Sequence, residues 1–244
     1  MHIMLFMALG AIIGSFLNVV IYRLPLIMAG EKMSLSYPAS GCPLCGAKIR
    51  WHHNLPLLGW LLLAGRCTDC HHPISWRYPL VELLTAALFA LLIHRYGLTL
   101  QGGYVLVAAC LLVVLAGIDQ CTMLLPDRLT LPLCGLGIVC AFLGEGRVSG
   151  IESLAASALG FLVPWLLDRL FYLWRRHPGM GMGDMKLFAA LGAWFGMTGL
   201  WRILAFSPLL ALLSALLVLR TKLGEPFPFG PYPIALALAM LVWG

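Results

Sequence analysis

Tyr104-Val-Leu-Val-Ala-Ala-Cys-Leu-Leu-Val-Val-Leu-Ala-Gly-Ile118 carries no charge and ends on Asp119. Such a run reads as a membrane helix. An acid at its end is costly unless it is paired, hydrated or functional. A second acid is placed in the same way: Gly181-Met182-Gly183-Asp184-Met185-Lys186 sits between two long apolar runs. The reading that organises the chain is that Asp119 and Asp184 form one two-carboxylate site at a single membrane face. Gly181 and Gly183 serve that site because glycine lets another segment approach closely. The plainer alternative is that Asp184 caps a helix beginning at Met185.

The composition agrees with a membrane setting. Of 244 residues, 61% are hydrophobic and 11% charged, and the mean hydropathy is +0.93. This excludes a soluble globular domain and implies an all-α polytopic membrane protein. The net charge of +6 fits basic cytoplasmic loops better than a nucleic-acid partner. No Lys or Arg precedes the first apolar run, Ile3 to about Ile21, and Arg23 follows it. It therefore reads as a first membrane helix with its N-terminus outside, and not as a cleavable signal peptide.

Further apolar runs lie near 79–93, 104–118, 129–143, 153–173, 185–199, 203–219 and 230–243, which makes about eight transmembrane helices. Glycines dilute the run 185–199 most. With the N-terminus outside, only Arg95, Arg147 and Arg202 of the 16 basic residues fall on the outer side. The positive-inside rule thus favours this orientation and puts Asp119 and Asp184 at the cytoplasmic ends of their helices. The expected organisation is a first helix over 1–22, a cytoplasmic segment over 23–78 and a helical membrane domain over 79–244.

The cytoplasmic segment holds Cys42-Pro-Leu-Cys45 and Cys67-Thr-Asp-Cys70. Two such knuckles resemble a four-cysteine zinc ribbon, and a reducing compartment favours metal over disulfide. Four thiolates close the coordination shell, so this zinc would be structural. His52, His53, His71 and His72 then read as solvated loop residues. The remaining cysteines, Cys110, Cys121, Cys134 and Cys140, read as small buried hydrophobes. No H-E-x-x-H occurs, which argues against a zinc protease.

Beyond Asp119, Leu124-Leu-Pro126-Asp127-Arg128-Leu-Thr130 places a proline where a helix would start. Gln120–Asp127 is expected to be a loop, with Asp127 opening the next helix and competing with Asp119 as the first acid of the pair. Asp168 and Arg169 read as an interfacial charge and a snorkelling arginine. Lys186 is expected on a different helix face from Asp184. The proline-rich stretch Glu225–Pro233 is expected to be rigid and to lie beside the site.

Taken together, these motifs resemble the bacterial type IV prepilin peptidases. The resemblance runs through Gly14-Ser-Phe-Leu-Asn18-Val-Val-Ile-Tyr-Arg23-Leu-Pro25, the two cysteine knuckles and Arg77-Tyr-Pro-Leu-Val-Glu82. It continues through Asp119, Leu125-Pro-Asp127-Arg-Leu-Thr130, the G-x-G-D-x-K of Gly181–Lys186 and Pro228-Phe-Gly230-Pro231. It implies an aspartic endopeptidase of the bacterial inner membrane that removes the basic leader of type IV prepilins or type II secretion pseudopilins. Asp119 and Asp184 would be the catalytic pair, supported by Gly181, Gly183 and Lys186. Many members also methylate the new N-terminus with S-adenosylmethionine. The chain has no G-x-G-x-x-G after a strand to hold that donor, so its contacts are not assigned by motif. Two other classes account for part of the pattern. A transporter could use the acids as relays but leaves the cysteine knuckles idle, and a scaffold could use the knuckles but leaves the acids as helix caps.

Overall fold

A computed structural model of the chain describes residues 2–177, 179–216 and 227–244. The end of the seventh apolar run, Arg220, Lys222 and the start of the proline-rich stretch at Glu225 lie outside the described residues. The described residues are helical, with only two isolated β-bridges. Among the described residues, five helices are long and apolar enough to cross a membrane. Two compact units divide the chain, one over Met1–Leu98 and one over Thr99–Gly244.

In the first unit, α1 (His2–Met28) packs against α3 (Arg77–Tyr96). The first helix continues past Ile21, so Arg23 belongs to a helix and not to the polar segment. Pro25 does not stop it; the helix ends three residues later. Between these helices lie a short 3-10 turn at Trp51–Asn54 and α2 (Leu58–Leu62). Asn18 Nδ2 donates to the Tyr78 carbonyl at 3.0 Å and so ties α1 to the start of α3.

The second unit is built around α7 (Met182–Ser214), which packs on α5 (Asp127–Phe142), α6 (Gly150–Arg175) and α8 (Pro231–Trp243). The remaining helix, α4 (Leu100–Thr122), contacts α5 and α8. Leu187, Phe188, Leu191, Leu200 and Ile203 of α7 are almost wholly buried. Leu166, Leu167, Leu170 and Leu173 of α6 are exposed, an apolar outer surface suited to lipid.

The two runs 185–199 and 203–219 correspond to two helical pieces within α7, and the break between them falls earlier than the gap in the sequence, at Gly196 (φ 64°, ψ −167°). A break leaves backbone groups without helical partners, and in an apolar setting each needs another one. Neighbouring α6 supplies them: Ser153 Oγ donates to the Ala193 carbonyl at 2.8 Å, and Glu152 Oε1 accepts from Met197 N at 3.2 Å. Gly196→Ala is expected to destabilise the fold by roughly 1–3 kcal/mol from the backbone conformation alone. The added Cβ would also come 2.6 Å from Glu152 Oε1. Thermal unfolding in detergent checks this, and an unchanged midpoint would contradict it.

Candidate active site and metal centre

Asp119 lies in the last turn of α4, which runs on to Thr122 and ends at Met123 in a left-handed conformation. The expected loop therefore shrinks to Met123–Pro126, and α5 opens at Asp127 behind Pro126 as its N-cap. Asp184 is not a helix cap. The helix begins at Met182 with Gly181 as N-cap, because Gly181 already adopts the extended backbone that starts the first turn. The acid sits one position further in than Gly183, where a carboxylate lies over unpaired first-turn amides. The chain path through α4, α5, α6 and α7 brings the end of α4 and the start of α7 to the same side of the bundle.

The segments that carry the two acids touch: Phe188, one turn after Asp184, and Phe229, beside Gly230, have ring centroids 6.2 Å apart. Asp119 is 4% exposed, while Asp184 is partly open. A third segment joins them. The Gly230 amide, at the start of α8, donates to Asp119 Oδ2 at 2.8 Å. A Cβ on Gly230 would sit 2.9 Å from that same oxygen, and its φ of −52° would otherwise accept any residue. Gly230 thus keeps the carboxylate in place through what it lacks as well as through its amide. The motif Pro228–Pro231 contains Gly230 but does not by itself reveal this task; a glycine just before the proline that opens a helix is the signal.

Two further contacts build the surroundings of Asp184. Lys186 Nζ lies 2.7 Å from both Oδ1 and Oδ2 of Asp127, so this lysine is bound to the first residue of α5, just after the Met123–Pro126 loop, and is not free at a membrane surface. A Cβ on Gly183 would come 2.9 Å from the Leu125 Cβ, so α7 starts directly against that loop. Asp127, half exposed and neutralised by Lys186, has the setting of an ion-pair partner. Asp168 does more than carry an interfacial charge: its Oδ1 accepts the Gly179 and Met180 amides at 2.7 and 3.0 Å, shaping the approach to Gly181. Arg169 lies over the Trp165 ring at 5.5 Å.

In the first unit, the four sulfurs of Cys42, Cys45, Cys67 and Cys70 lie within 4.8 Å of one another. Cys42 Sγ is 3.7 Å from Cys70 Sγ, and Cys45 Sγ is 3.9 Å from Cys67 Sγ. These spacings are far too long for a disulfide. They match a tetrahedron with zinc–sulfur bonds of about 2.3 Å, whose edges measure about 3.8 Å. The two knuckles are built alike. Cys42 N donates to the Ala47 carbonyl and Cys67 N to the His72 carbonyl, both at 2.9 Å. In each, the residue after the second cysteine, Gly46 or His71, takes a positive φ. The Cys45 and Leu44 amides hold the Cys42 thiol down to about 6. Cys70, although the His72 amide draws it down, is pushed up to about 12 by lost hydration and the neighbouring thiols. Such a set ionises fully only around a cation, which fits a divalent metal. Among the described residues, His52, His53, His71 and His72 stand outside this cluster.

Helices of this length and apolarity, with two acids on touching segments of one unit and four clustered thiols in the other, mark a multi-pass helical membrane protein. Residues 8–96 match the bacterial peptidase A24 N-terminal domain, and residues 106–220 match the type IV leader peptidase family. The chain is 41% identical to a prepilin leader peptidase/N-methyltransferase of Neisseria gonorrhoeae, over 91% of this chain and 84% of that protein. It is 43% identical to the one of Aeromonas hydrophila, over 95% and 87%, and 46% identical to that of Klebsiella pneumoniae, over 83% and 87%. The chain belongs to the type IV leader peptidase family. No solved structure matches it.

Gly230→Ala is expected to lower any activity of the acid pair about a hundredfold, the order associated with a displacement of about 1 Å at a reacting centre. The measurement is the cleavage rate of a precursor peptide by protein that unfolds at the same temperature as the unsubstituted chain. An unchanged rate would show that Asp119 tolerates being pushed.

Proposed function

We propose that the protein is a membrane aspartic endopeptidase that removes the basic leader of type IV prepilins or type II secretion pseudopilins and then methylates the new N-terminus. The reading is supported by contact between the segments that carry the two acids: the Gly230 amide holds Asp119, the Phe229 ring beside it lies 6.2 Å from the Phe188 ring one turn after Asp184, and Gly183 abuts Leu125 in the loop that follows α4. Two such carboxylates share one proton. The ionised member takes a proton from water as its oxygen attacks the scissile carbonyl carbon, and the protonated member donates to the carbonyl oxygen. Collapse of the tetrahedral species breaks the C–N bond and returns a proton to the leaving amine. No covalent intermediate forms, so no nucleophilic serine or cysteine is required.

With the break at Gly196 counted, the described helices supply eight spans, and with the N-terminus outside, Asp119, Asp184 and Gly230 all face the cytoplasm. That is where the basic leader of a pilin precursor meets its membrane helix, and acids there attract it. The protein then resides in the bacterial inner membrane. The segment between α1 and α3 carries the metal, held by Cys42, Cys45, Cys67 and Cys70, and the spacing of these thiols supports zinc in a structural role. The methyl group is supplied by S-adenosylmethionine.

The test is to incubate the purified protein in detergent with a pilin precursor and S-adenosylmethionine and to weigh the product. The expected product lacks the leader and carries one added methyl group. An unshortened precursor would overturn the peptidase reading, and a shortened but unmethylated one would remove the second activity.

A further inference from the structure

The first unit contains a cavity of about 410 Å³ between α1, the two cysteine knuckles and the start of α3. Its size falls within the range of about 300–1,000 Å³ typical of small-molecule sites. Arg23 and Glu82 line it, and each is only 8% exposed. Arg23 donates through Nη1 to the Ser34 and Leu35 carbonyls. Glu82 Oε2 accepts the Leu57 amide at 2.7 Å. Among the described residues, neither forms an ion pair. Buried charges without counter-charges are costly, and they are retained where something else balances them.

Lys48 and Asp69 also line the cavity but are exposed to solvent; the two buried charges on its walls, one cation and one anion, call for a ligand bearing both signs. A phosphate or nucleotide would be repelled by Glu82, and a metal ion by Arg23. A zwitterionic α-amino acid satisfies both. The rest of the lining says what the amino acid is attached to. Tyr22, Trp60 and Tyr78 offer ring surface, and Trp60 is held by its Nε1 donating to the Ile74 carbonyl at 3.2 Å. Aromatic faces suit a stacked purine base and a neighbouring sulfonium cation.

We propose that this cavity binds the methyl donor, with Arg23 on its α-carboxylate, Glu82 facing its cationic groups and the aromatic side chains against its nucleoside. The proposal rests on the methyl-transfer reading above and assigns that activity a place. Cys42 and Cys67 line the same cavity, so the four-thiol centre forms part of its wall.

The test is direct binding by calorimetry to the full chain in detergent with its metal in place. The probes are S-adenosylhomocysteine and 5′-methylthioadenosine, which lacks the amino-acid end. The unsubstituted protein should prefer the first by roughly tenfold to a hundredfold, the usual contribution of a charge-assisted hydrogen bond. Arg23→Gln should erase most of that preference while leaving the weaker probe little changed. Glu82→Gln keeps an acceptor for the Leu57 amide, so it isolates the charge; it should weaken S-adenosylhomocysteine by about tenfold. Zinc content and unfolding temperature report that the variants are folded. If the unsubstituted protein methylates and binds, and both variants keep the full preference, the cavity assignment is overturned and the methyl-transfer reading stands. If the unsubstituted protein neither binds a probe nor methylates, that reading fails and takes the assignment with it, and leader removal is judged separately.

Discussion

Purified Asp119→Asn and Asp184→Asn are each expected to leave a pilin precursor uncut, with a rate at least roughly a thousandfold below that of the unsubstituted protein. Either change removes a carboxylate from a pair in which one member must take a proton while the other gives one. An amide can do neither. The substitution is nearly isosteric. In Asp119→Asn the new side-chain carbonyl oxygen can still accept the Gly230 amide, so the fold should be retained. Asp127→Asn provides the contrast. It breaks a partly exposed pair with Lys186, worth about 0–1 kcal/mol, and should keep most of the activity. Rates are followed by product mass at fixed protein concentration. An inactive Asp127→Asn beside an active Asp119→Asn would mean that the first acid of the pair has been misassigned.

The second large effect concerns the metal. Freshly reduced protein should contain about one zinc per chain, as a four-thiolate site holds. Cys67→Ser, or mild chelation, should remove it and abolish methylation while leader removal continues. The four sulfurs hold together two knuckles, each of which has only its own hydrogen-bonded turn and isolated bridge; among the described residues no bridge joins one knuckle to the other. Without the cation, the ionised thiols repel and the knuckles separate. The acids Asp119 and Asp184 belong to the other compact unit. Both steps are measured on one substrate before and after chelation. Equal loss of both would show that the metal-bearing segment also positions the peptide for cutting.

Much of this site was legible in the chain because its residues sit where apolar periodicity stops. Asp119 and Asp184 stand out as charges at the ends of apolar runs, and four cysteines in two C-x-x-C pairs carry their own spacing. Contacts between residues distant in sequence were less legible. The pairing of Lys186 with Asp127 could not be read from Lys186 alone, since a lysine after an apolar boundary is explained equally well by snorkelling. Asp168 looked like a surface charge because its partners are backbone amides, which leave no mark in sequence. Helix limits moved for ordinary reasons. Met182 and Gly183 tolerate a first turn that polarity counting does not register, and Arg23 remains helical because α1 continues beyond its apolar run.

The break at Gly196 also bears on the lipid around the protein. From Met182 to Phe195 the first part of α7 rises only about 20 Å. Its neighbours α5 and α8 have 16 and 13 residues, or about 24 and 20 Å at the same rise. A bilayer interior is about 30 Å thick. Three short helices side by side are a hydrophobic mismatch, and lipid meets it by thinning. The helix that carries Asp184 is one of the three, so a thinned patch of membrane would form beside the acids. Water then has a shorter path to a peptide bond that ordinary bilayer depth would keep dry, and the acyl-chain length of the host lipid becomes a control on the rate of hydrolysis.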